Sequence, residues 1–222
     1  MINKVINASI ITLTKNDTKK FNRTLKSINS QRILFCIEWI IIDGSELSIQ
    51  EKHLNLISKY FSSKLKNYVY IKHINSNHKN LNGIYPCMNY AKKIAKGNHI
   101  IFLNSGDKFF NKYSLNSLIK KTKIISQKDS LVFGQANIIA SKKIKWLFPG
   151  KNLNSFKKWL VFFEPNHQAM LISKSLASRF DFSEKHSVIS DGYWKRKIIN
   201  KSKEIIYINK PVINFYLDGV SS

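Results

Sequence analysis

Four polar residues follow a short apolar run near the middle of the chain, and their side chains are of the kinds that bind phosphate and metal. Residues 100–103 are Ile-Ile-Phe-Leu, a run typical of a strand buried on both faces of a parallel sheet. Asn104, Ser105, Gly106 and Asp107 come directly after it. Ligands of open α/β sheets bind outside the carboxyl ends of the strands, where a carboxylate can hold a divalent cation. A simple β-turn uses the same residue types, so both interpretations stand at this point.

Two earlier apolar runs end in polar side chains in the same way. The run at 7–13 leads into a loop able to contact a nucleotide, although helix capping explains that loop when it is taken alone; its polar side chains are Thr12, Thr14 and Asn16. The run at 38–42 ends at Asp43. An acidic residue after a second parallel strand is a natural acceptor for a base or ribose donor.

The elements that must position these residues form a regular series. Apolar runs predict strands at 7–13, 38–42, 68–74 and 100–103, with amphipathic helices between them. Short connections favour right-handed crossovers and therefore a parallel sheet. We expect an α/β fold with a mostly parallel central sheet flanked by helices. The Gly-x-Gly-x-x-Gly fingerprint is absent from the first loop, which speaks against an NAD-binding enzyme.

One further helix is predicted just before the run at 100–103. It should end at Lys96, with Gly97 as the glycine that follows the helix. Its buried stripe should consist of Ile84, Met88, Ala91 and Ala95.

The second half predicts a smaller region of mixed strands. A strand at 130–140 should pair with a hairpin partner at 142–147, and two short strands at 205–208 and 212–216 should flank Pro211. We expect residues 1–222 to form a single domain, with a first half at 1–108 and a second half at 109–222.

Two polar positions in the second half are further candidates. His167 and Gln168 open an apolar strand, where such a pair is usually a satisfied hydrogen-bonding pair. Asp191 lies at the start of a helix, where it or Ser190 can serve as the N-cap.

Composition limits the classes of function. The chain has 222 residues, 43% hydrophobic content and a formal charge of +24, so a full core is expected and disorder is not. No apolar run approaches the roughly 20 residues of a membrane-spanning helix. Cys36 and Cys87 lack metal-ligand spacing and are expected to be free thiols in a reducing cytoplasm. The charge indicates an anionic partner or a compositional bias without function, and its scatter along the chain speaks against a nucleic-acid-binding tail.

The segment 146–163 combines aromatic and basic residues. Aromatic side chains at the headgroup level and lysines facing anionic lipid are typical of a membrane-surface segment. Core packing explains the aromatic residues equally well.

Taken together and in order, these motifs resemble the family 2 glycosyltransferases of the GT-A fold, in particular the small bacterial enzymes of capsule, colanic acid and O-antigen assembly. The resemblance covers nearly the whole chain. It rests on Ser9-Ile10-Ile11-Thr12 with Asn16, Glu38-Trp39-Ile40-Ile41-Ile42-Asp43-Gly44-Ser45, Asn82-Gly83-Ile84-Tyr85, Met88-Asn89, Ala95-Lys96-Gly97, Phe102-Leu103-Asn104-Ser105-Gly106-Asp107, His167-Gln168-Ala169, Ser190-Asp191 and Gly219-Val220-Ser221.

The resemblance implies a role for each candidate. The donor nucleotide would contact Thr12, Thr14, Asn16, Asp43, Asn82, Asn104 and Ser105. Asp107 would bind Mg²⁺ or Mn²⁺ together with donor phosphates, and it is the only carboxylate of a motif that usually has two or more. His167 and Gln168 would line the acceptor side, and Asp191 would be the general base.

The sequence therefore predicts an inverting, metal-dependent hexosyltransferase that uses a nucleotide-sugar donor. Its acceptor would be a saccharide, lipid-linked and part of surface polysaccharide biosynthesis. The protein would be cytoplasmic, with peripheral contact to the anionic inner face of the cytoplasmic membrane, and no nucleic acid would be a partner. The alternative is a catalytically impaired relative that binds a nucleotide or a partner enzyme. A basic nucleic-acid-binding protein is the third and weakest hypothesis.

Overall fold

A computed structural model of the protein describes residues 5–61, 68–150, 153, 155–184 and 190–217. The motif at 219–221 lies outside these residues, so nothing further is said of it.

The first half alternates strands and helices, as the sequence predicts. The elements in chain order are β1 (Ala8–Thr14), α1 (Thr18–Asn29), β2 (Ile37–Asp43), α2 (Leu47–Tyr60), β3 (Val69–Asn75), α3 (Ile84–Ile94) and β4 (His99–Phe102). Asp17 caps α1, because its side chain accepts a hydrogen bond from the Lys20 backbone N–H. β1 and β2 are buried along almost their full length, which is what strands covered by helices on both faces require.

The second half is mixed. It contains β5 (Lys108–Phe109), α4 (Ser114–Thr122), β6 (Ser130–Ile139), β7 (Lys145–Phe148), α5 (Phe156–Phe162), β8 (Met170–Ser173), α6 (Lys174–Ala177), α7 (Ser190–Lys201) and β9 (Glu204–Tyr216). The predicted hairpin is confirmed, since β7 pairs antiparallel with β6.

One sheet unites both halves in the order β3-β2-β1-β4-β8-β6-β9-β5, with β7 added beside β6. The first four strands are parallel. β8 runs antiparallel to both β4 and β6, so β6 runs in the same direction as β4. β9 is parallel to β6. Six of the nine strands among the described residues thus point the same way, which confirms a mostly parallel α/β sheet.

Two sequence predictions about local structure are wrong. The expected pair of short strands is one strand, because β9 continues through Pro211. The register against β6 shifts at this point, since Asn209, Lys210 and Val212 of β9 are passed over while β6 runs on from Gly134 to Ala136. Pro211 lacks only a donor, and a strand with a shifted register tolerates that loss.

The other error concerns the end of α3. The helix stops at Ile94, and Ala95 already has extended backbone angles, so Gly97 does not follow it as a cap. A side chain at Gly97 would place its Cβ 2.5 Å from the backbone of Ala8 and Ser9. Gly97 is therefore a residue of close backbone approach to β1. The predicted stripe is also partly wrong, because Ile84 is exposed.

Candidate functional site

A cleft of about 730 Å³ opens at the carboxyl ends of β1, β2 and β4. These strands are parallel and adjacent, so the polar residues that follow them meet at one edge of the sheet. The predicted residues that line the cleft are Thr14, Asn16, Asn82, Asn104, Ser105, Asp107, His167 and Gln168. Thr12, Asp43 and Asp191 are not among the lining residues.

Thr12 lies beneath the cleft. Its hydroxyl donates to the Leu103 carbonyl at 2.8 Å and accepts from the Trp39 indole at 2.9 Å, and the residue is fully buried. Thr12 therefore holds β1 to the end of β4 and to β2. The predicted nucleotide contact finds no exposed atom at this residue.

The loop after β1 and the loop after β2 are joined by hydrogen bonds. The Asn16 backbone N–H donates to the Ser45 hydroxyl at 2.8 Å, and the Asn16 side chain accepts from the Glu46 N–H at 3.1 Å. Asn16 has a left-handed φ of 52°, which Asn tolerates better than most residues. The loop shape thus depends on Asn16 as well as on the Ser45 side chain.

Asp43 is at the centre of a buried network and not on the cleft surface. Its Oδ2 lies 2.7 Å from His53 Nδ1 and 2.9 Å from His73 Nε2, and its Oδ1 accepts from the Ser45 N–H at 2.9 Å. Burial raises the pKa of the Asp43 carboxyl, but the hydrogen bonds from the two histidines and Ser45 outweigh it and hold the pKa well below its usual range. Both oxygens are occupied, so a nucleotide contact would require this network to open.

The turn that follows β4, residues Asn104–Asp107 (the corner), is held by hydrogen bonds to side chains of α1. The Thr24 hydroxyl accepts from the Gly106 N–H at 2.9 Å and donates to the Asp107 carbonyl at 2.8 Å. Arg23 donates to the Gly106 carbonyl at 3.1 Å. Gly106 has a φ of 105°, a conformation that favours glycine. No sequence motif indicated Thr24 or Arg23, because a helix surface residue gives no signal of the loop it will meet.

The Asp107 carboxylate joins three parts of the chain. Gln168 donates to Oδ2 at 2.5 Å, and the Tyr216 backbone N–H donates to Oδ1 at 2.8 Å. The Gln168 carbonyl also accepts from the Asn104 N–H at 2.8 Å. The sequence predicts Gln168 on the acceptor side, and in the structure it bridges the two ends of the Asn104–Asp107 turn.

The corner offers the type of ligand atom that a divalent cation binds, although it offers few of them. No group of three His, Cys, Asp or Glu side chains suited to a metal ion occurs among the described residues. However, the Asn104 Oδ1 atom is buried and has no hydrogen-bond partner. Together with the Asp107 carboxylate it presents the hard oxygen ligands that Mg²⁺ and Mn²⁺ accept, with phosphates and water completing the shell.

Asp191 lies in the first turn of α7, next to His167 of the cleft lining. Its Oδ2 lies 3.5 Å from Lys195 Nζ and 3.7 Å from His167 Nδ1, and its side chain is 34% exposed. Burial raises the pKa of Asp191, but the approach of the His167 ring and the Lys195 charge outweigh it, so the pKa lies well below its usual range. Asp191 is therefore ionised at neutral pH, as a proton acceptor must be.

Two lysines that the sequence analysis does not single out line the cleft near the end of β1. Lys15 and Lys20 are among its lining residues, and Lys20 Nζ lies 4.0 Å from Asp17. Positive charge in a concave site attracts anionic ligands. The net charge of +24 was the only signal, and it does not identify individual lysines.

No protein-family model matches the sequence. No curated protein is similar to it at the level of sequence. Several solved structures share the fold. The structure of residues 1–349 of S. aureus TarS superposes with a TM-score of 0.69 at 17% identity, over 95% of this chain and 60% of that one.

Two ligand-bound structures are similar in the same way. TarS 1–349 in complex with UDP-GlcNAc has a TM-score of 0.67 at 18% identity, over 95% of this chain and 58% of that one. The mannosyltransferase PcManGT from Pyrobaculum calidifontis, in complex with GDP-Man and Mn²⁺, has a TM-score of 0.61 at 12% identity, over 96% and 57%. The chain spans no more than about 60% of the length of these structures. At this identity the likeness shows the fold.

Proposed function

We propose that the protein is a glycosyltransferase that moves a sugar from a nucleotide-sugar donor to a saccharide acceptor. The observation that carries the proposal is a cleft lined by lysines and amide side chains, whose corner holds the buried carboxylate of Asp107. The cleft belongs to a fold shared with structures that bind UDP-GlcNAc and GDP-Man. The reaction class follows from that combination and not from either part alone.

The donor half of the cleft suits a nucleoside diphosphate. Thr14, Asn16 and Asn82 offer amide and hydroxyl groups to a nucleoside, and Lys15 and Lys20 offer positive charge to the diphosphate. Asn104 and Asp107 would hold Mg²⁺ or Mn²⁺ there. When bound, such a cation neutralises charge on the departing nucleoside diphosphate.

Asp191 is the proposed general base of an inverting transfer. Its carboxylate takes the proton of the acceptor hydroxyl while that oxygen bonds to the anomeric carbon and the sugar–phosphate bond breaks. His167 and Lys195 keep Asp191 ionised and in place until an acceptor arrives. His167 also lines the cleft, and its Nε2 atom is buried without a hydrogen-bond partner.

The pathway proposal concerns the acceptor. We infer a lipid-linked saccharide of surface polysaccharide synthesis, of the capsule or O-antigen type, at the inner face of the cytoplasmic membrane. The net charge of +24 supports a site of action next to anionic lipid. No helix among the described residues is long and apolar enough to span a bilayer.

Donor turnover tests the proposed function. UDP- and GDP-linked sugars are incubated with the protein and Mn²⁺ or Mg²⁺, and the released nucleotide is measured with and without saccharide acceptors. We expect Asp191→Asn to lower transfer by roughly 100- to 10,000-fold, the range for loss of a general base. Nucleotide affinity, measured by calorimetry, should be unchanged in this variant.

Asp107→Ala is the companion variant, and it should weaken nucleotide binding in the presence of the cation. Glu51→Gln, a change at an exposed position of α2, serves as the control and should match the parent. Turnover by Asp191→Asn and Asp107→Ala at the parental rate would overturn the assigned roles.

A second candidate is a catalytically impaired relative that binds a nucleotide or a partner enzyme. The observation that favours it is the single carboxylate at the corner, whose two oxygens already accept hydrogen bonds. This candidate predicts calorimetric binding of UDP or GDP without turnover of any tested sugar donor.

A further inference from the structure

We propose that an exposed face next to the cleft docks on an anionic lipid bilayer. This docking would explain how the protein reaches a lipid-linked acceptor, and in that respect the proposal rests on the proposed function. This docking face consists of the tip of the β6–β7 hairpin and the outer side of α5. Its residues are Lys142, Lys143, Ile144, Lys145, Trp146, Lys157, Lys158, Val161, Phe162 and Phe163.

The apolar residues of the docking face are unusually open to solvent. Phe162 is 77% exposed, Val161 65%, Ile144 59% and Phe163 50%. Single exposed apolar residues need no explanation, but several large ones together mark an interaction surface. The core-packing interpretation holds only for the inner side of this segment, where Leu160 is buried.

Aromatic contacts join the hairpin to α5. Trp159 stacks on Phe163 with ring centroids 5.7 Å apart and meets Phe148 edge-on at 5.3 Å. Phe148 and Trp146 are two residues apart in β7, so their side chains share one face of that strand. The aromatic row therefore runs from the hairpin onto the helix.

The charge of the face selects the kind of partner. The segment 141–163 contains six lysines and no aspartate or glutamate. Lys157 and Lys158 precede Val161 and Phe162 by four residues, so cations and apolar groups share one side of α5. A lysine at a bilayer surface extends its amine to the headgroups while neighbouring apolar side chains enter the acyl boundary. A protein partner would have to be both acidic and apolar, whereas an anionic bilayer meets both requirements at once.

The position of the face suits a lipid-linked acceptor. β6 runs in the same direction as β4, so its hairpin leaves the sheet at the same edge as the cleft. Arg196 of α7 donates to the Leu160 carbonyl at 2.6 Å and pairs with Glu164, which ties the helix that carries Asp191 to α5. The docked bilayer would thus lie beside the acceptor side of the cleft.

Vesicle flotation tests the proposal without any donor or acceptor. The protein is mixed with vesicles of phosphatidylcholine alone or of phosphatidylcholine with phosphatidylglycerol. We expect binding to the anionic vesicles only, weakened by salt. Lys157→Glu with Lys158→Glu should lower the partition coefficient by roughly tenfold or more, since each basic residue near the surface is worth about 1 kcal/mol. Val161→Ser with Phe162→Ser should lower it by a similar factor.

Each variant has a matched control at exposed positions outside the docking face. Lys120→Glu with Lys121→Glu gives the same change in net charge on exposed lysines of α4. Leu34→Ser with Ile124→Ser removes two apolar side chains that are 62% and 66% exposed. Both controls should bind vesicles like the parent, and circular dichroism should show all four variants folded.

Three results would overturn the proposal. The first is equal binding to neutral and anionic vesicles, and the second is equal loss in the face variants and their controls. The third is a dimer in solution that Val161→Ser with Phe162→Ser dissolves, because the face would then be a subunit interface. Donor turnover is assayed separately with a soluble acceptor and no vesicles, so a failed proposed function and a failed docking face give different patterns.

Discussion

The two sides of the proposed site hold their carboxylates in different ways. On the side proposed to bind the donor (the donor side), Asp43 and Asp107 are buried and accept hydrogen bonds of 2.5 to 2.9 Å at both oxygens. On the side proposed to bind the acceptor (the acceptor side), Asp191 is about one-third exposed and lies 3.5 Å from Lys195 and 3.7 Å from His167. The donor side is therefore built before a ligand binds, whereas the acceptor-side carboxylate keeps lone pairs available for a proton.

The largest effect on stability is expected from a substitution at the centre of the donor-side hydrogen-bond network. Asp43→Ala removes the shared acceptor of His53, His73 and the Ser45 N–H, and should lower the free energy of unfolding by about 3 kcal/mol. Urea denaturation measures it. Asp191→Ala should cost much less, since exposed charge pairs contribute little. Equal losses in the two variants would remove the distinction between the sides.

Substitutions at two glycines compare how tightly the backbone is packed on the two sides. Gly97→Ala forces a Cβ to within 2.5 Å of the β1 backbone and should destabilise the fold by about 2 kcal/mol. Gly192→Ala in α7 meets nothing within 4 Å and should be neutral or stabilising by up to about 1 kcal/mol. Thermal melts of both variants check this, and a destabilising Gly192→Ala would contradict it.

A smaller effect sharpens the role of Gln168. Gln168→Ala leaves the Asn104 N–H and Asp107 Oδ2 without their partner and should cost about 1 to 2 kcal/mol of stability. It should also weaken nucleotide binding. Gln168→Glu keeps the shape and the acceptor for Asn104 but sets a carboxylate against Asp107. If Gln168 acted only on the acceptor, both variants would bind nucleotide like the parent.

The smallest effect is a pH dependence. Asp43 has a folded pKa below its usual value near 3.8, so the unfolded chain binds more protons in acid. Its contribution to stability is present above that value and is lost as the pH falls through the folded pKa. Melting temperature should therefore fall as the pH is lowered from about 5 to about 3. Asp43→Asn should flatten this profile more than Asp191→Asn, and the reverse order would contradict the comparison.

The fold was predictable because its signals are local. The solid apolar runs of β1, β2 and β4 require burial on both faces, and the short links between strand and helix leave few topologies. The meeting of Asn104, Asp107 and Asn16 at one edge follows from parallel strands alone. Pro211 misled only about continuity, since β9 accommodates it by a shift of register against β6.

The hydrogen-bond network of the site was not predictable because it depends on contacts between segments that are distant in the sequence. His53 and His73 gave no sign that they would share Asp43, and Gln168 lies 61 residues from the carboxylate to which it donates. Thr24 looks like any polar residue of an amphipathic helix. Residue type and spacing indicate which groups are present, whereas side-chain geometry decides which of them face the ligand.

The hydrogen bond from the Tyr216 backbone to Asp107 joins residues 109 positions apart in the sequence, which has a consequence for folding during synthesis. β9 is the last of the described strands and lies in the sheet between β6 and β5. A nascent chain on the ribosome can therefore form β1 to β4 and yet hold an unfinished donor corner. Closing a loop of that length costs entropy that only the finished sheet repays. The site should mature as one of the last events of folding, after residue 216 has left the exit tunnel.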